Sequence, residues 1–142
     1  MVTGLVYHPD YVKYDFGIDH PEKPERISRT IRHLSDVGLL DDPEIQLFRS
    51  EPATIEDLKL VHTTHYIERI MFPSEHGGML TPDTPVTPRT YEIARLSAGG
   101  AILAGRAVVE GDVRNSFALI RPLGHHAGRD FGGGFCYSTI LL

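Results

Sequence analysis

The apolar positions of this chain fall into two rhythms. From Pro24 on, Ile27, Ile31, Leu34 and Val37 recur every three or four residues, a spacing that stacks them on one face of a helix. Gly38 stands where such a helix would stop. The runs "GLVYH" and "EIQLFRS" are short, rich in β-formers and followed by polar, proline-bearing sequence, so both predict strands. A third run, "NSFALIR", is almost wholly apolar, as strands covered on both faces tend to be. Between the second and third strands the pattern predicts helices. A short one over "IEDLKLVH" is introduced by Thr54 with Asp57 three residues on, a capping pair; another covers "THYIERIMF", and the longest runs from Pro88 to about Glu110. The stretch "PSEHGGMLTPDTPVTP" carries four prolines and two glycines, which predicts an exposed loop.

The order strand, helix, strand, helices, strand requires crossovers. The chain is therefore expected to be α/β, with three mostly parallel strands and flanking helices. In such sheets ligands bind beyond the carboxyl ends of the strands, and the loop "RPLGHHAGRDFGGGF" follows the third strand at that place. The long helix is lined by "SAGGAILAGRA". Gly99 and Gly100 each cost about 1 kcal/mol against alanine inside a helix, a cost expected to be offset by close contact with another helix or a sheet.

Composition narrows the class. A chain of 142 residues fits one domain, which buries about 68% of the surface its unfolded form exposes. At 41% apolar and 23% charged residues, it has the make-up of a soluble globular protein. No apolar run is long enough for a membrane span and the N-terminus lacks the basic start of a signal peptide, so a cytoplasmic location is expected. Cys136 is the single cysteine, which excludes an internal disulfide and a thiolate zinc cluster; any metal would need His and carboxylate ligands. The net charge of -5 gives no electrostatic reason for a nucleic-acid or acidic-membrane partner and suits a cationic substrate better.

The chemistry-bearing residues gather after the third strand. His125 and His126 are adjacent; a turn between them would place both imidazoles on one cavity, each able to act as acid or base near neutral pH. A solvated pair on a surface loop is the plain alternative. The next segment, "GRDFGGGF", has glycines that let backbone approach a ligand. Its spacing matches neither nucleotide-binding fingerprint. His62 and His65 lack the spacing of a zinc-binding helix and are read as a helix-terminal cap and an exposed side chain. Cys136 is either a nucleophile served by His125 or His126, or a small core residue, the commoner role for a lone cysteine beside aromatics. Arg26 and Glu22 could form a surface ion pair of little worth.

Taken together, "YHPDYVKYDFGIDHPEKPERI", "VHTTHYIERI", "LTPDTPVTPRTYEIARLSAGGAI" and above all "RPLGHHAGRDFGGGFCY" resemble the zinc-dependent histone deacetylase superfamily. The likeness is greatest to its class II, acetylpolyamine-amidohydrolase and acetoin-utilisation branches. Leu123 stands where that pattern has a second proline. The resemblance implies a partial arginase/deacetylase-like fold with an incomplete sheet, and an acetylated amine, on lysine, polyamine or a related amine, as substrate. It makes His126 the general base and His125 its electrostatic or acid partner beside a zinc-bound water. Gly134 and Phe135 would line the substrate channel, Asp83 would meet substrate at the rim, and Arg26 would border an internal cavity.

The family's zinc ligands, an Asp-x-His pair and a further Asp, together with a Tyr in a Gly-Gly-Tyr context, follow Tyr137 in the pattern and have no counterpart here. Zinc is therefore expected in the full-length family and not on this chain, which is expected to be inactive alone. A non-catalytic fragment or pseudoenzyme acting as a binding module is the alternative. Residues 1–137 read as the N-terminal part of a deacetylase domain and 138–142 as an aberrant tail. Where the pattern continues Phe-Asn-Asn-Ile-Ala-Ile-Ala, this chain has Ser138-Thr139-Ile140-Leu141-Leu142. With the codons TTC AAC AAT ATT GCT ATA GC for that pattern, removing one T leaves TCA ACA ATA TTG CTA TAG, which encodes this tail and a stop, so a single-nucleotide deletion, in the gene or in its sequence record, is the expected origin. The third strand, lacking its family neighbour, would present an open apolar edge and favour self-association.

Overall fold

The computed structural model describes residues 1–17 and 20–139; Ile140, Leu141 and Leu142 of the expected tail lie outside the described residues. In chain order the elements are β1 (Thr3–Tyr7), α1 (Glu25–Asp36), β2 (Ile45–Arg49), α2 (Ile55–Lys59), α3 (Thr64–His76), β3 (Gly78–Thr81), β4 (Thr84–Val86), α4 (Thr90–Val109) and β5 (Asn115–Ala118). Single 3-10 turns cover Pro9–Lys13 and Leu39–Asp41.

The main sheet has the order β2-β1-β5 with both pairings parallel, as the crossover pattern predicts. Register places Leu5 between Leu47 and Phe117. Leu5 belongs to a core with Ile27, against which Ile31 and Leu34 pack, so the apolar stripe of α1 covers this face. On the other face the Ser116 hydroxyl donates to the Ala104 carbonyl of α4 at 2.7 Å. The sheet thus lies between α1 and α4. Among the described residues β5 pairs on one side only, and Phe117 on it is 60% exposed.

Local sequence explains most of the boundaries. The Thr54 hydroxyl accepts from the Asp57 N–H while the Asp57 carboxylate accepts from the Thr54 N–H, the predicted capping box. α1 ends before Gly38, which adopts a left-handed φ of 75°. Val37, expected on the buried stripe, is exposed because it caps the helix instead of continuing it.

Three expectations need correction. α2 stops at Lys59, short of the expected His62, because the chain turns at Leu60 to start α3. α3 runs on through Pro73 to His76; the proline costs the helix one N–H, and the Ser74 hydroxyl adds a bond to the Ile70 carbonyl at 2.8 Å. The stretch read as an exposed loop is the end of α3 plus a hairpin of antiparallel β3 and β4, with Thr84 and Val86 buried. Asp83 makes that turn by accepting from the Thr81 and Thr84 hydroxyls, local bonding that a count of prolines does not reveal.

The glycines of α4 make a close contact, though Gly99 meets the irregular chain leaving the carboxyl end of β2 instead of a helix or a sheet. A Cβ built on Gly99 would overlap the Glu51 carbonyl and lie 2.8 Å from the Ala53 nitrogen. Gly99→Ala is therefore expected to lower the unfolding free energy by about 1–3 kcal/mol in urea denaturation. An unchanged midpoint would mean that helix and loop separate without cost.

Candidate active site

The loop between β5 and Thr139 carries most of the predicted site. His125 and His126 are both exposed, with ring centroids 4.1 Å apart and planes at 53°. The Cys136 sulfur lies beneath them, close to the backbone N–H groups of both histidines. Burial pushes its thiol above the usual cysteine range, so it packs as a small core residue and is a poor nucleophile.

The strand turn after the glycines faces the same way. Gly134 (φ 56°) and Phe135 (φ 67°) both adopt left-handed backbone. Gly134 abuts the His126 ring, whose Cδ2 lies 2.9 Å from a Cβ built on the glycine. The Phe135 N–H donates to the Thr84 hydroxyl at 3.2 Å, which ties the turn to the β3–β4 hairpin. Phe135 meets His20 edge-on at 4.6 Å. Asp83 is exposed on that hairpin; the Thr81 and Thr84 hydroxyls, with the Gly134 backbone, hold its carboxyl below the ordinary range. The fold therefore brings His125, His126, Gly134, Phe135 and Asp83 to one rim. A cavity of about 190 Å³ opens beside His125, lined by Ala98, Ala101, Ile120 and Pro122 among others.

Arg26 is not among them. It lies exposed on the first turn of α1, and its proposed ion pair with Glu22 does not form. The buried guanidinium is that of Arg121, 1% exposed, whose Nε donates to Glu22 Oε1 at 2.9 Å. Its Nη2 bonds Glu22 Oε2 and its Nη1 bonds the carbonyls of Tyr11 and Tyr14. Arg121 and Glu22 are 99 residues apart in sequence, so no local pattern pairs them. A charged residue closing an apolar strand run was the available signal.

Reading His62 as a helix-terminal cap also fails. It is buried: Nδ1 faces the Gly128 carbonyl at 2.8 Å and Nε2 accepts from the Thr139 N–H at 3.0 Å. Those bonds assign the neutral tautomer with its proton on Nδ1, and they bind the histidine loop to the start of α3. His65 is exposed, as expected. Burial lowers the His62 pKa from its ordinary value, against the pull of the Gly128 carbonyl. Because the folded value lies below the unfolded one, the unfolded chain binds the extra proton first. Stability present above about pH 6.5 is expected to fall as pH drops toward the lowered value, with His8, also lowered by burial, adding the same sign. Melting temperatures from pH 7.5 to 5 check this: a His62→Gln variant should show a flatter profile, and an identical slope would refute the assignment.

Burial also raises the phenols of Tyr14 and Tyr137 far above the usual tyrosine range, keeping both as neutral hydrogen-bonding groups. Among the described residues, no group of three or more His, Cys, Asp or Glu side chains is placed to hold a metal ion. The residues present do not by themselves fit the zinc that the resemblance implies. No helix of the described residues is long and apolar enough to cross a membrane.

Residues 20–140 match the histone deacetylase domain family, and this chain belongs to it. It is 40% identical over 137 residues to a "Probable deacetylase" of Archaeoglobus fulgidus, covering 96% of this chain and 38% of that protein. It is 46% identical over 119 residues to a histone deacetylase-like amidohydrolase of Pseudomonas aeruginosa, covering 83% of this chain and 31% of that one. The crystal structure of the HDA15 HD domain superposes with a TM-score of 0.91 at 27% identity, over 98% of this chain and 41% of that chain. The chain thus spans 38% and 31% of the lengths of these two relatives.

Proposed function

We propose that this chain is the N-terminal part of a zinc-dependent deacetylase that hydrolyses the acetyl-amide of an acetylated lysine, polyamine or related amine. The observation that carries the reading is the pair of imidazoles with centroids 4.1 Å apart, the His126 ring lying against Gly134 in the turn that Phe135 ties to the β3–β4 hairpin. In this reading His126 takes a proton as general base and His125 supports it as electrostatic or acid partner. Gly134 and Phe135 wall the channel, and the Asp83 carboxylate offers an acceptor to substrate N–H groups at the rim. The zinc ligands belong to a part of the domain outside this chain, so the chain alone binds no zinc and does not turn over.

Hydrolysis of an acetyl-lysine peptide and of an acetylpolyamine tests this. The assay compares the chain alone with residues 1–137 joined to the segment that follows the matched region in the Pseudomonas relative, each with zinc. Hydrolysis by the joined protein only is the expected result. Turnover by the isolated chain, or none by a folded joined protein, would sink the reading; the second outcome would favour the non-catalytic binding module.

The same reading makes the β5 edge, with the 60% exposed Phe117 beside it, a self-association surface in the isolated chain. Sedimentation velocity should show concentration-dependent dimers that Phe117→Lys removes. A strictly monomeric wild type at high concentration would exclude it.

A further inference from the structure

We propose that Tyr14 and Glu22 are positioning residues for the tandem histidines, an inference that rests on the deacetylase reading of His125 and His126. The histidine loop is held at both ends by Tyr11, Tyr14 and Glu22. At its start, all five N–H donors of Arg121 have acceptors: both Glu22 carboxylate oxygens, the Glu22 carbonyl and the carbonyls of Tyr11 and Tyr14. The guanidinium also lies over the Tyr14 ring, 4.6 Å from its centroid. At the loop's end, the Tyr14 hydroxyl donates to the Tyr137 hydroxyl at 2.7 Å, and Tyr137 in turn donates to the Pro85 carbonyl of β4.

Tyr14 therefore touches both ends of the loop: its carbonyl and ring face take Arg121, and its hydroxyl takes Tyr137. A planar, fully engaged guanidinium fixes orientation as well as distance. Neither Tyr14 nor Glu22 contributes a group to the rim itself. The clasp sets the spacing between the strand end that leads into His125 and the turn that presents Gly134 and Phe135.

Nuclear magnetic resonance of the labelled 142-residue chain tests the clasp independently of hydrolysis. In the wild type the His126 ring should give a cross-peak to the Gly134 α-protons, and His65 and His76 on α3 serve as internal controls. Tyr14→Phe removes one hydroxyl, and Glu22→Gln removes one charge at constant shape. Each variant is expected to lose the His126–Gly134 cross-peak while the α3 signals stay in place. An unchanged cross-peak in either folded variant overturns the proposal. So does loss of the α3 signals in both, since the clasp would then be a general folding element. An inactive joined protein with an intact clasp response would count against the deacetylase reading and leave the positioning role standing.

Discussion

Glu22→Ala is expected to lower the unfolding free energy by about 3–5 kcal/mol, a large share of the roughly 5–15 kcal/mol that holds a domain folded. Glu22 and Arg121 are 3% and 1% exposed. Removing the carboxylate therefore leaves a guanidinium in a site that water cannot reach. The loss comes from stranding that charge more than from the attraction of the pair, because both groups give up hydration to be buried. Glu22→Leu with Arg121→Met removes both charges and is expected to recover part of the loss. It cannot recover all, since the carbonyls of Tyr11 and Tyr14 lose their Arg121 donors. Urea denaturation followed by circular dichroism measures both variants against the wild type. A single-variant loss below about 1 kcal/mol, the worth of an exposed pair, would show that solvent reaches the site.

His126→Ala in the joined protein is expected to reduce kcat by about 10²–10⁴-fold with little change in KM, the range for loss of a positioned general base. The separation of the two effects follows from placement. The His126 ring is exposed beside His125 and Gly134 and, among the described residues, holds none of the bonds that bind the loop to its neighbours. Its removal should therefore leave the melting temperature of the joined protein in place. His62, buried and bonded at both nitrogens, is the contrasting case: its loss should cost stability first. Steady-state kinetics with a melting curve on the same samples decides between them. A kcat within a few-fold of wild type would remove His126 from the chemistry.

Much of the site was legible because its parts are close in sequence. His125, His126, Gly134 and Phe135 lie within one loop, and the apolar run before them announced a strand whose carboxyl end would carry that loop. Asp83 came from the resemblance, and the hairpin that seats it was hidden. Prolines and glycines suggested irregular chain, whereas the hydroxyls of Thr81 and Thr84 closing on Asp83 make a tight turn between paired strands.

By itself the amino-acid order determined what depends on near neighbours: the stripe of α1, the capping box at Thr54, the parallel α/β class and the small-residue face of α4. Only the tertiary structure decided which charges and rings meet. Arg26 was singled out, as bordering an internal cavity, because it lies in a recognisable motif, whereas nothing local marked Arg121 as the arginine buried with Glu22. His62 was read as a helix-terminal cap, yet it is buried and joins the start of α3 to the histidine loop. The physical reason is common to both. Whether a polar side chain faces water or the interior depends on whether distant segments bring it enough partners to replace its hydration, and those partners come from segments tens of residues away.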